Sequence, residues 1–153
     1  MSIRENIDSK YKQSIKDKKP DITGTLRLVK SAIKDKDIDV RAIGNNEGIS
    51  DKEILGLLQN LIKQRKDSIE SFKAADRKDL IEKEQIEIDI INTFLPIQKN
   101  EKETEAIVEE LIKANNFSTI KDMGKLMSII KSKLSGQVDM SLVGKIAKLK
   151  LGN

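Results

Sequence analysis

An all-α fold, four helices followed by three more, is what this sequence predicts, and three observations carry it. Apolar residues recur at every third or fourth position in segment after segment, and no stretch of strand length alternates apolar with polar. The segments are punctuated by helix-start and helix-stop signals: Pro20, Pro96, and the pairs Ser50/Glu53 and Asn100/Glu103. Charged residues make up 35% of the chain against 37% hydrophobic, with mixed signs, as the solvated outer faces of helices require.

Ile3, Ile7, Tyr11 and Ile15 repeat every four residues and predict a first helix over 2–18, ended by Pro20. Leu26, Val29 and Ile33 predict a second over 23–36. From Val40 to Ser50 the pattern fades, and Gly44-Asn45-Asn46-Glu47-Gly48 reads as a mobile turn of which no function is expected. Ser50 and Glu53 form a capping box, each side chain accepting from the other's backbone N–H. It opens a third helix that runs to 74 on a stripe of Ile54, Leu55, Leu58, Leu61, Ile62, Ile69 and Phe72. The fourth, 77–94, puts Leu80, Ile81, Ile88 and Ile91 on one face. Pro96 disfavours helix at Leu95, and so marks the expected joint between a scaffold, residues 1–95, and a three-helix tail, residues 96–153.

In the tail, Asn100 with Glu103 caps a fifth helix over 101–114, which Asn115-Asn116 ends. The stretch Lys121–Leu151 then reads as two short amphipathic helices joined by Ser135-Gly136-Gln137-Val138. Gly136 stands where φ must be positive, and Asp139 caps the second helix. Met123, Leu126, Met127, Ile130 and Leu134 fall on one arc of the first, with Lys121, Lys125, Ser128 and Ser132 opposite. In the second, Leu142, Ile146 and Leu149 share a face, and Ser141, Lys145 and Lys148 another. The expected result is an apolar seam with ammonium groups around its outside.

Composition removes several function classes. The 153 residues suffice for a core that buries roughly two-thirds of the unfolded surface. With no Cys and no His, thiolate chemistry, disulfides and the commonest general base and transition-metal ligand are all missing, so no metal or cofactor is expected. No run is long and apolar enough to span a membrane. The N-terminus, MSIRENIDSKYK, has no signal-peptide core and carries acids that a transit peptide avoids, which makes a soluble cytoplasmic protein the expectation. No pattern speaks for an oligomeric state. The net charge of +4 is concentrated late: from Thr119 onward seven lysines face only Asp122 and Asp139.

Three constellations could carry chemistry. Arg65, Glu84 and Glu87 interrupt apolar faces. As a structural ion pair between neighbouring helices they satisfy the rule that a buried charge needs a partner. As a metal or acid–base site the two carboxylates lack a histidine or a third acid in register, so the structural reading is preferred. A catalyst of amide transfer would need an activated nucleophile and a phosphate-binding loop, and neither is present, so no catalytic residue is expected. The tail residues Lys121, Lys125, Ser128, Lys131, Lys133, Lys145 and Lys148 remain. Rows of ammonium groups match phosphates along a nucleic-acid backbone, and serine hydroxyls add neutral donors. Against this stands the ordinary outcome, a solvated lysine face. With Phe117 the only aromatic of the tail, base stacking is not expected to be the main contribution.

The motifs KDMGKLM (121–127), then Lys131 and Lys133, then SGQVDMSLVGK (135–145) resemble the signature of the YqeY-like family, and the likeness continues upstream. LRLVKSAIKDKDID (26–39), QRKDSIESFKAADRKDL (64–80) and EKEQIEIDIINTFLP (82–96) are similar to the pattern of its free-standing members, so the resemblance covers nearly the whole chain. A related tail closes the B subunit of the tRNA-dependent amidotransferase. The resemblance therefore implies contact with tRNA or another folded RNA. It also implies a family label of carbon–nitrogen ligase with glutamine as amido donor, which is not expected of this chain alone, since the likeness omits the catalytic body. The expectation is a non-catalytic RNA-binding module. Its alternative is a protein adaptor that binds an enzyme of aminoacyl-tRNA metabolism and touches no RNA.

Overall fold

The computed structural model describes residues 2–152, which are all-helical with no strand among them. The chain divides into two compact units, Met1–Leu95 and Pro96–Asn153. The first holds α1 (Ile3–Lys16), α2 (Pro20–Arg41), α3 (Asp51–Ala74) and α4 (Lys78–Asn92). The second holds α5 (Glu101–Ala114), a 3-10 turn (Ile120–Asp122), α6 (Met123–Lys133) and α7 (Met140–Leu151).

Local chemistry sets most of the boundaries. Ser50 and Glu53 form the capping box that opens α3, and Asn100 accepts from the Glu103 N–H at 2.8 Å to open α5. A box the sequence reading had not named, Ser2 with Glu5, opens α1. Pro20 does not end α1 but starts α2, where its fixed φ suits the first helical position and its missing N–H costs nothing. What ends α1 is Lys18, with φ +53°, followed by Lys19, whose N–H reaches back to the Ser14 carbonyl at 3.0 Å. The same reversal ends α3 at Asp76 and α5 at Asn116.

In the first unit, Ile7, Val29, Ile33, Ile54, Leu58, Ile62, Ile69, Ile88 and Ile91 form one buried cluster. The four-residue repeat of α1 does not hold to its end. Each step of four advances about 400°, so the row drifts about 40° per step. By the fourth member the drift has carried Ile15 out to half exposure, and Ser14 takes the inward place. Its hydroxyl is satisfied there by the Tyr11 carbonyl and Thr23 Oγ1, both at 2.7 Å.

The 42–50 loop is tied at its far end. Arg4 grips the Asp37 carboxylate at 2.7 and 3.0 Å and the Ile49 carbonyl at 3.1 Å, while the Ile49 N–H donates to Asp37 at 2.8 Å. Ile49 itself is buried. The Arg4 hydrogen bond foremost, and the Ile49 N–H after burial is offset, hold the Asp37 carboxyl below the usual carboxylate range. A folded-state pKa below the unfolded one stabilises above the ordinary carboxylate pKa, and that stabilisation is lost as pH falls through the folded value. The hydrogen-exchange protection factor of the Ile49 amide is therefore expected to hold at neutral pH and to fall on acidification below about pH 4. Asp37→Asn should flatten that profile, and an unchanged profile would detach the loop from this ion pair.

Gly56 lies in the interior of α3, exposed, and a β-carbon added there meets nothing within 4 Å. Gly56→Ala is thus expected to raise stability by about 0.5–1 kcal/mol in urea melts, from helix propensity alone.

Candidate nucleic-acid interface

The tail folds around Val108, Leu126, Ile130, Val138, Val143, Ile146, Ala147 and Leu151, with Met123 and Met127 packed against them. The methionines belong to the core. Their methyl groups lie 4.0 and 3.9 Å from where a Gly144 side chain would begin, which is ordinary contact distance between α6 and α7. The turn between these helices is fixed by Gly136, with φ +75°, and by Gln98, which donates to the Gly136 carbonyl. The Lys99 N–H adds a bond to the Gln137 carbonyl at 2.7 Å. Asp139 caps α7 by accepting from the Ser141 N–H at 2.9 Å.

On this frame Lys121, Lys125, Ser128, Lys131, Lys133, Lys145 and Lys148 are all exposed. The six lysines make no ion pair among the described residues. Lys150 behaves differently. It lies on the core side of α7, and its stem runs out past the apolar seam. Its ammonium meets Glu105 at 3.3 Å and also binds Glu109. That contact holds the Glu109 carboxyl below its usual range and pushes the Lys150 ammonium up. Asp122, close to Lys125, is engaged by its own turn. Its carboxylate accepts from the N–H groups of Ser118 at 2.9 Å and Thr119 at 3.3 Å, and these bonds, with Lys125 nearby, lower its pKa.

The seven residues are not one row. Lys125 and Ser128 line a shallow hollow with Asn115, Phe117, Gly124 and Ile129. Lys145 and Lys148, one turn apart, line a second with Ile120, Leu149 and Gly152. The stretch from Phe117 to Lys121 links the two, since Phe117 borders one and Ile120, next to Lys121, borders the other. Lys131 and Lys133 lie two residues apart in the last turn of α6, about 160° around the helix from each other, so they cannot both join the Lys125 row.

Two exposed apolar residues beside these lysines escaped sequence reasoning. Leu149 was expected on the core face with Leu142 and Ile146, yet it is 80% exposed. The core side of α7 is filled instead by Val143, Ile146, Ala147 and Leu151. The available signal was an excess of apolar positions, more than one face of a 12-residue helix can bury. Ile120, at the second hollow, is 46% exposed.

Arg65, Glu84 and Glu87 lie in the other unit. Arg65 Nε donates to Glu87 at 2.8 Å, and its Nη1 donates to the Leu61 carbonyl at 2.9 Å. Glu84, one turn before Glu87 on α4, is half-buried and stands outside that ion pair. Among the described residues no three His, Cys, Asp or Glu side chains converge as a metal site would require, and no helix is long and apolar enough to cross a membrane.

A helical scaffold and a three-helix, lysine-faced tail thus define the class of protein, one with charged and apolar surfaces on short helices. The chain belongs to the YqeY-like family: the family model described as Yqey-like protein matches residues 4–151. It is 38% identical over 91 residues to "Altered inheritance of mitochondria protein 41, mitochondrial" of Lachancea thermotolerans, a match over 58% of this chain and 46% of that protein. It is 33% identical over 90 residues to an uncharacterised protein of Schizosaccharomyces pombe, covering 59% of this chain and 69% of that one. A protein of Pyrenophora tritici-repentis with the same name as the Lachancea one is 27% identical over 146 residues, 91% of this chain and 75% of the relative. The chain thus spans about half the length of the Lachancea relative. These names overturn the cytoplasmic expectation, since the named relatives are mitochondrial proteins. The expectation failed because it leaned on the acids of MSIRENIDSKYK, and the make-up of so short a stretch does not identify a compartment.

Proposed function

We propose that this chain is a non-catalytic accessory module whose tail docks on tRNA or another folded RNA through lysine-to-phosphate contacts. The observation that supports it is the contrast within the tail. Lys150 is held by Glu105 and Glu109, whereas Lys121, Lys125, Lys131, Lys133, Lys145 and Lys148 stand exposed with no ion pair among the described residues. Ammonium groups that a protein leaves unpaired on short, rigid helices suit phosphates, and Ser128 adds a neutral donor beside Lys125. The likeness of the motifs at 121–127 and 135–145 to the tail of a tRNA-handling enzyme points the same way. Recognition is through charge and shape, with little sequence preference, because the tail has only Phe117 on which a base could stack.

Salt decides between this and the adaptor reading. A surface that engages about four to six phosphates releases counterions, so log affinity for tRNA should fall with log salt at a slope of roughly −3 to −5. A filter-binding series across potassium chloride concentrations reads that slope. A slope near zero, or no retention at low salt, would move the function to protein docking.

A further inference from the structure

The hollow on the outer side of α7 goes beyond the RNA reading, because its floor is apolar and phosphate has no use for such a floor. Leu149 and Ile120 meet there at 80% and 46% exposure, flanked by Lys145 and Lys148. On α7 Leu149 is the one apolar residue left exposed, and it stands between lysines rather than alone, which gives an apolar anchor a charged frame. The charge of the lining is of one sign: its two ionisable residues are both lysines, exposed and outside any ion pair among the described residues. The groove between α2 and α4 makes the contrast. It also exposes Leu28 and Ile86, but its lining mixes the signs, with Asp21, Asp79, Glu82 and Glu87 beside Arg27 and Lys83.

We propose that the Ile120–Leu149 hollow docks an acidic amphipathic helix of a partner protein. An aliphatic side chain of that helix packs on Leu149 and Ile120, and two carboxylates one turn apart beside it bind the Lys145 and Lys148 ammonium groups. These two lysines are one turn apart, about 5 Å along the axis, which matches acids at i and i+3 or i+4 on a facing helix. No aromatic ring lines the hollow, so an unpaired base has nothing to stack on, and an aliphatic anchor is the better occupant.

Lys145 and Lys148 are shared with the RNA surface, so the deciding variant is Leu149→Ser. Its exposure predicts an unchanged fold, checked by the thermal midpoint. The probe is a synthetic amphipathic peptide with leucines along one stripe and glutamates beside it, titrated into the full chain labelled at its methyl groups. The expected result is binding with shifts confined to Ile120 and Leu149, weakened about tenfold or more by Leu149→Ser. Retention of tRNA should meanwhile stay within about twofold of the parent chain, as expected for phosphate contacts that do not use an apolar floor. Equal binding of a peptide with lysine in place of glutamate would overturn the proposal. So would a Leu149→Ser effect on tRNA, or on phosphatidylglycerol vesicles, as large as that on the peptide. Failure of tRNA binding in the parent chain would sink the RNA reading and leave this one standing.

Discussion

Arg65→Ala is expected to lower the unfolding free energy by about 2–4 kcal/mol, read from urea melts of the full chain. The guanidinium is the centre of a small enclosed arrangement. Nε donates to Glu87 on α4 at 2.8 Å and Nη1 to the Leu61 carbonyl one turn back on α3 at 2.9 Å. The two charged side chains are only 12% and 15% exposed. Removing the arginine leaves the Glu87 carboxylate mostly out of water with no cation, and it also strips the aliphatic stem from the α3–α4 seam. The loss should therefore exceed that of a surface pair, which is worth at most about 1 kcal/mol. The double variant Arg65→Met with Glu87→Leu separates the two causes. It restores apolar contact and leaves no orphan charge, so it should recover most of the stability. A loss below about 0.5 kcal/mol for Arg65→Ala would mean that water already screens the pair.

What the sequence made legible was local. The cap at Ser50, the cap at Asn100, the left-handed turn at Gly136 and the cap at Asp139 each depend on residues within four positions, and the structure has all of them. Reasoning faltered where geometry accumulates over distance. A four-residue repeat kept Ile15 on the inner face by counting, whereas 3.6 residues per turn carry it outward and bring in Ser14. Arg4 and Asp37 are 33 positions apart, and nothing in either neighbourhood announces that they meet at Ile49. On α7 the lysines were readable as exposed, but the partition of seven apolar positions between core and surface was settled by contact with α5 and α6. This is why Leu149 came out on the wrong side. Lys131 and Lys133 show the same limit: membership in a motif says nothing about whether two side chains share a face.

Reversing Lys121, Lys125, Lys145 and Lys148 to Glu is expected to abolish tRNA retention, by about 100-fold or more at moderate salt. All four are exposed and take part in no ion pair among the described residues, so the apolar seam of the tail should be untouched and the helical circular dichroism preserved. Each reversal changes the charge by two, so the four together move the chain from +4 to −4. That alone would repel a polyanion, and a control must separate place from amount. Lys12, Lys36, Lys52 and Lys66 are equally exposed on the first unit, and reversing them makes the same change in net charge. If the tail lysines are the contact, the control chain should lose less than about tenfold, because charges outside the contact act only through a salt-screened field. Equal losses in both chains would reduce the tail to one basic patch among others, and unchanged retention in the tail variant would reject it as the RNA surface.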